Sequence, residues 1–201
     1  MKSTLQESQL EREDKIILDL CGGTGSWSKP YRDAGYDVRV ITLPDNDVFT
    51  YAPPRDVYGI LAAPTCTMFS LARTTAKTPR DLDGGLKLVR RCIDIIWEVK
   101  PRFWVMENPK GLLRKFMGKP AFDFDVSEFG EDYNKHTDLW GYFQLPKKTA
   151  EYVRHDSTDK NTRKLPPIPE TYKRDPGMTT VAIKRSITPQ TFAQAFYKAN
   201  K

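Results

Sequence analysis

The chain has little histidine and little cysteine, and both shortages narrow what it can do. Two histidines, His136 and His155, in 201 residues leave little room for a histidine-dependent triad. The three cysteines, Cys21, Cys66 and Cys92, are odd in number, far apart and without metal-ligand spacing. That pattern excludes a disulfide framework and a zinc site, so no metal is expected, and it fits reduced thiols in a cytosolic setting. No apolar run approaches the roughly 18 residues that a membrane span needs. The stretch Met1 to Ser8 lacks the apolar core of a signal peptide, so a cytoplasmic location is expected.

A hydrophobic content of 39% with 29% charged residues suits a globular protein of one domain, residues 1–201. The formal net charge of +6 is unevenly placed. Residues 147–185 carry ten Lys/Arg against five Asp/Glu, which leaves the remainder of the chain at +1. Within it, 147–177 is a Pro-rich extended loop and not a second domain. A basic segment beside a neutral body is compatible with contact to nucleic-acid phosphates, and equally with a solvated surface loop.

In chain order, residues 1–14 are polar and compatible with a frayed helix. Lys15 to Leu20 reads as a buried strand that runs into Cys21-Gly22-Gly23-Thr24-Gly25-Ser26-Trp27-Ser28. Ser26 or Ser28 would start a helix reaching Ala34, and Tyr36 to Thr42 alternates as a second strand. Strand, glycine loop and helix form the opening unit of a nucleotide-binding α/β fold, although such a loop is also found as a bare turn. Val57 to Ala62 is a third strand, delivering the chain to Ala63-Pro64-Thr65-Cys66-Thr67-Met68-Phe69-Ser70. A cysteine just past the carboxyl end of such a strand stands where open α/β sheets place reactive groups, and it is equally a small buried hydrophobe.

A long polar loop, 71–85, follows and is a candidate lid. The periodicity predicts a helix from Leu86 to Val99 with Leu86, Val89, Ile93 and Ile96 inward and Cys92 in the core. Phe103 to Met106 is a further buried strand, ending in Glu107-Asn108-Pro109. A carboxylate there is costly to bury unless it is paired or used, the other reading being a cap for a helix at 112–117. Alternation predicts strands over 122–129 and 136–143. Thr179 to Ile183 reads as a short strand or an extended approach. Thr188 and Pro189 would then open a last helix, lined by Phe192, Ala195, Phe196 and Ala199.

Taken in order, Asp-Leu-Cys-Gly-Gly-Thr-Gly (19–25), Ala-Pro-Thr-Cys-Thr-Met-Phe-Ser (63–70) and Glu-Asn-Pro (107–109) resemble the DNA (cytosine-5) methyltransferase family, in its small bacteriophage-type form. Arg185 to Pro189 resembles the family's last motif, which returns to the cofactor pocket. The resemblance implies an α/β, Rossmann-like fold with a mostly parallel sheet flanked by helices. It implies S-adenosylmethionine as methyl donor and DNA as partner, its target cytosine flipped out of the duplex. Asp19, Leu20, Cys21, Gly22, Gly23, Thr24, Gly25, Ser26 and Trp27 would wrap the cofactor, with Asp47, Val48 and Pro64 also contributing. Cys66 would be the nucleophile at carbon 6 of the base. Glu107 would hydrogen-bond its ring nitrogen 3 and amine, steadied by Asn108 and Pro109.

The chain departs from the family's pattern at four places. Thr65 stands where the family has proline, and Thr42 where it has a ribose-binding carboxylate. Its arginine motif is degenerate around Lys135-His136-Thr137-Asp138. The large recognition domain is replaced by 147–177, which implies low or short sequence specificity. RNA, a free cytosine nucleotide, or a catalytically silent binding role are the alternative readings.

Overall fold

In the computed structural model, residues 15–71, 73, 78–155, 166–170, 172–173 and 178–201 are described. The expected helix at 1–14, much of the expected 147–177 loop and residues 72 and 74–77 of the 71–85 loop lie outside them. The elements are β1 (Ile16–Leu20), α1 (Lys29–Asp33), β2 (Asp37–Ile41), β3 (Val57–Ala62), α2 (Leu82–Val99) and β4 (Phe103–Pro109). They continue with α3 (Arg114–Met117), β5 (Phe122–Asp125), β6 (His136–Tyr142), α4 (Thr180–Ser186) and α5 (Gln190–Ala199).

Six strands form one sheet in the order β2-β1-β3-β4-β6-β5. The first four are parallel, while β6 runs antiparallel to both β4 and β5. This is the α/β, mostly parallel, Rossmann-like class that the sequence predicts. Strands covered on both faces read as unbroken apolar runs, because successive side chains enter opposite layers. Ile17, Leu61 and Phe103 belong to one layer with Tyr31, Phe192 and Phe196. Leu18, Ile60 and Met106 belong to the other with Val89, Cys92 and Ile95. Because the chain leaves β1 for β2 on one side and returns to β3 on the other, the carboxyl ends of β1 and β3 flank a topological switch point, the usual ligand position of open α/β sheets.

Several boundaries differ from the periodicity, each for a local reason. Helix α2 begins at Leu82, before the expected Leu86, because the Asp81 side chain accepts the Gly84 N–H and caps it. Its buried face is Val89, Cys92, Ile95 and Ile96, so Ile95 replaces Ile93. The strand expected over 122–129 stops at Asp125. There a capping box, Asp125 with Glu128, starts a 3₁₀ turn through Phe129. The β-branched run at 179–183 is helical, with Thr179 accepting the Ala182 N–H. Helix α5 starts at Gln190 without a threonine cap, and its stripe is Phe192, Ala193 and Phe196. Helix α1 is five residues long, and Ser28 stands at its cap without capping it.

Candidate active site

The carboxyl end of β1 carries an unusual buried group. Asp19 is 0% exposed, and its Oδ2 accepts a 2.5 Å hydrogen bond from Ser28 Oγ. Its Oδ1 has no partner among the described residues. Burial pushes the Asp19 carboxyl up to about 6, against the opposing pull of Ser28 and Arg32. The loop above it turns sharply through Cys21 (φ 57°), Gly23 (φ 55°) and Gly25 (φ 66°). A Cβ at Gly22 would strike the Asp19 carboxylate, so glycine is required for the loop to lie against it. Among the described residues the N–H groups of Gly23 and Thr24 meet no backbone carbonyl.

The terminal segment closes on this loop from outside. The Thr188 N–H donates to Ser26 Oγ at 2.9 Å, and Gln190 Nε2 donates to the Ser26 carbonyl at 2.8 Å. Trp27 beneath it packs edge-on against Phe196 at 5.6 Å. Beyond β2, Asp47 is exposed, with Oδ1 accepting the Phe49 N–H, while Val48 is buried. Arg91 of α2 holds the Val48 carbonyl at 3.0 Å and the Tyr51 carbonyl at 2.7 Å. The Cys21 thiol hydrogen-bonds that of Cys92, which with burial drives its pKa well above the ordinary value.

Strand β3 delivers Cys66 to the same edge of the sheet, in a 3₁₀ turn over 66–68. Pro64 is buried, and Thr65 has φ −49° and ψ 120°. Thr65 therefore adopts a φ close to that of proline. Burial raises the Cys66 thiol, with Glu107 adding to the rise and Lys135 opposing it. The turn is pinned from both sides. Arg80 donates to the Met68 carbonyl at 2.7 Å and to the Ser70 carbonyl at 2.9 Å, so Arg80 in the candidate lid clamps this turn. A bridge joins Ser70 to Gly111, where a Cβ would collide with the Phe69 carbonyl.

Strand β4 extends three residues beyond its predicted end, through Glu107, Asn108 and Pro109. The Glu107 side chain lies 3.3 Å from Lys135 Nζ. Its position is inside a strand and paired, which overturns the cap reading; α3 starts later, after Leu113. Asn108 is fully buried and its Nδ2 donates to the Pro64 carbonyl at 2.8 Å. One strand over, Asp138 of β6, opposite Asn108, is 0% exposed and takes a two-pronged ion pair from Arg114.

The structure thus brings Asp19, the loop to Trp27, Cys66 and Glu107 to one edge of the sheet. Asp47 and Val48 stand beyond β2 at that same edge. Sequence reasoning undervalued Lys135, since only the antiparallel return of β6 beside β4 sets it against Glu107. It also missed the Ser28–Asp19 bond and the Ser26 latch, which link positions 9 and 162 residues apart.

No family model matches the chain. A protein of Frog virus 3 (isolate Goorha), named as a probable DNA (cytosine-5)-methyltransferase, is 29% identical over 159 residues. That match covers 67% of this chain and 74% of the viral protein. The chain's likeness is to the DNA (cytosine-5) methyltransferases. A crystal structure described as a "putative DNA modification methyltransferase" encoded within a prophage (E. coli) shares the fold, with a TM-score of 0.51 at 15% identity. It matches 70% of this chain, which spans only 53% of that longer one. The sequence likeness to the viral protein points to the methyltransferase class, and the solved structure shares the fold.

Proposed function

We propose that this chain transfers a methyl group from S-adenosylmethionine to carbon 5 of cytosine in DNA. The observation that carries the reading is the delivery of Cys66 and Glu107 by adjacent parallel strands to the edge where the Asp19 loop opens.

The loop residues fit the cofactor. An Asp19 oxygen that is buried and without a partner among the described residues suits a cationic ligand, and the N–H groups of Gly23 and Thr24, which meet no backbone carbonyl among those residues, suit a carboxylate. S-adenosylmethionine, when bound, supplies an electrophilic methyl group. Asp19 and the loop to Trp27 would hold it, Asp47 and Val48 would border the far end, and the Ser26 latch would fix the loop's shape.

The rest of the chemistry belongs to this chain. Carbon 5 of cytosine is too weak a nucleophile unaided. The Cys66 sulfur, having lost its proton, bonds to carbon 6, and the displaced electron pair runs toward ring nitrogen 3. Nitrogen 3 takes a proton through Glu107, which also holds the exocyclic amine. Carbon 5 is then enamine-like and accepts the methyl group. Nitrogen 3 then returns its proton to Glu107, the carbon 5 proton passes to solvent water, and the Cys66 sulfur departs as thiolate, which restores the aromatic ring. General-acid assistance of this type commonly contributes about 10²–10⁴-fold. In a duplex the base must first swing out, at a few kcal/mol.

DNA is the preferred acceptor because of the viral relative, and because the 147–185 segment is basic. Part of that segment is anchored beside the site: Asn134 Nδ2 donates to the Val153 carbonyl at 2.8 Å, and the His155 N–H donates to Asn134 Oδ1 at 2.7 Å. Asn134 neighbours Lys135, whose Nζ lies 3.3 Å from Glu107, so residues 153–155 run beside that ion pair. Incubation with labelled S-adenosylmethionine and duplex DNA, RNA or dCMP tests the assignment. Label is expected in DNA cytosine; label in RNA or dCMP alone would replace DNA as the acceptor, and none in any would remove the transferase reading.

A further inference from the structure

The cations on the catalytic edge fall into two groups. Arg80 is engaged by the Met68 and Ser70 carbonyls, Arg91 by those of Val48 and Tyr51, Arg114 by Asp138, and Lys135 by Glu107. These are structural or site-forming. Lys110, Lys115 and Lys119 are different: all three are exposed, and none has an ion pair among the described residues. They occupy the stretch from Lys110 to Ala121, which contains four basic residues and no acidic one. Between them Phe116 holds its ring 48% exposed.

This stretch is not a loose charged surface. The Lys110 N–H donates to the His136 carbonyl at 3.0 Å, and the Leu112 N–H to the Phe69 carbonyl at 2.9 Å. Leu113 is fully buried, Arg114 is locked to Asp138, and Trp140 Nε1 donates to the Gly118 carbonyl at 3.1 Å. The Ser70–Gly111 bridge and the contact of Phe116 with Phe69, 6.4 Å between rings, fasten it to the turn bearing Cys66. Three unpaired lysines around an exposed aromatic ring are therefore held rigidly beside the nucleophile, at the carboxyl edge of β4.

We infer that Lys110, Lys115 and Lys119 form a phosphate-contacting platform that seats the DNA duplex flanking the target base. Charge complementarity selects the occupant: four cations and no acid fall between Lys110 and Ala121, and the bordering Asp123 carboxylate lies 3.9 Å from Arg114 and leaves the three lysines without an ion pair among the described residues. Phe116 would rest against sugar or base where the strand parts. Such contacts fix position and orientation on the duplex and read no sequence. This assignment rests on DNA being the acceptor, and it adds a surface distinct from the 147–185 segment.

The test is fluorescence anisotropy on a labelled 20-base-pair duplex across a salt series. It compares the wild-type chain with Lys110→Gln/Lys115→Gln/Lys119→Gln. A control of equal charge change, Lys15→Gln/Lys100→Gln/Arg102→Gln, alters the opposite edge of the sheet. The platform variant is expected to bind at least about tenfold more weakly at 0.1 M salt, with its salt slope reduced by about three. The control and wild type are expected to match, and all three proteins to bind S-adenosylmethionine alike by calorimetry. Steep wild-type binding that the platform variant retains unchanged would overturn the platform and leave DNA as acceptor. Wild-type binding that is absent or flat in salt would overturn both.

Discussion

Asn108 reaches from β4 to the strand beside it, its Nδ2 donating to the Pro64 carbonyl at 2.8 Å. The bond ties the Glu107-bearing strand to the turn that carries Cys66, two residues after Pro64. Asn108 is fully buried, so truncation leaves that carbonyl without its donor. Asn108→Ala is expected to destabilise the fold by about 1–3 kcal/mol, the range for orphaning a buried acceptor. Urea unfolding measures it. Stability equal to wild type would mean that the two motifs are held together by other contacts.

The charge around Cys66 sets a second expectation. Burial and Glu107 raise its thiol, and Lys135 pulls the other way. Raised titration means that the thiolate is scarce at neutral pH and grows as pH rises. Alkylation of Cys66 by iodoacetamide should therefore climb through the alkaline range without levelling below pH 9. Lys135→Met is expected to move the profile to higher pH, and Glu107→Gln to lower pH, while Lys135→Arg restores it. A profile indifferent to all three substitutions would separate the ion pair from the thiol.

Asp19 makes the fold pH-sensitive in the opposite sense from most carboxylates. Its folded value of about 6 lies above the ordinary 3.8, so the folded chain holds the proton more tightly. The stability this gives is fully present below pH 3.8 and is lost as pH rises through about 6. A shift of this size corresponds to roughly 3 kcal/mol. Relative to wild type, Asp19→Asn should therefore gain about that amount between pH 4 and pH 7 in urea unfolding. A difference that stays constant with pH would show Asp19 ionised throughout.

Thr65 is where the chain departs from the methyltransferase pattern next to Cys66, the proposed nucleophile, yet its backbone suits proline. Its φ is −49°, and among the described residues its N–H donates to no backbone carbonyl. Thr65→Pro is thus expected to be accepted, and to stabilise by about 0.4–1 kcal/mol through the unfolded chain. A fall in melting temperature would show that the threonine hydroxyl or N–H is needed.

The convergence of the candidate residues was legible because they lie at strand ends. Apolar runs marked β1, β3 and β4, and the residues just after each run, Asp19 to Trp27, Cys66 and Glu107, converge because parallel strands end at one edge. What the sequence hid was the neighbourhood that antiparallel pairing creates. Lys135 meets Glu107, and Arg114 meets Asp138, only because β6 returns beside β4, and no local periodicity encodes that. Three of the misplaced boundaries share another cause. At Asp81, Asp125 and Thr179 a side-chain cap outweighed the preference of the residues that follow. The Asp125–Glu128 spacing was readable as a capping box, but the alternating aromatics masked it.

The central claim is that the Cys66 sulfur bonds to the target base. Duplex DNA carrying 5-fluorocytosine, incubated with the protein and S-adenosylmethionine, tests it directly, because fluorine at carbon 5 cannot depart as a proton does. A denaturation-resistant protein–DNA band is expected with the wild-type chain, lost in Cys66→Ala and dependent on S-adenosylmethionine. Absence of the band from a wild-type chain that binds the same DNA, or its persistence in Cys66→Ala, would contradict the account.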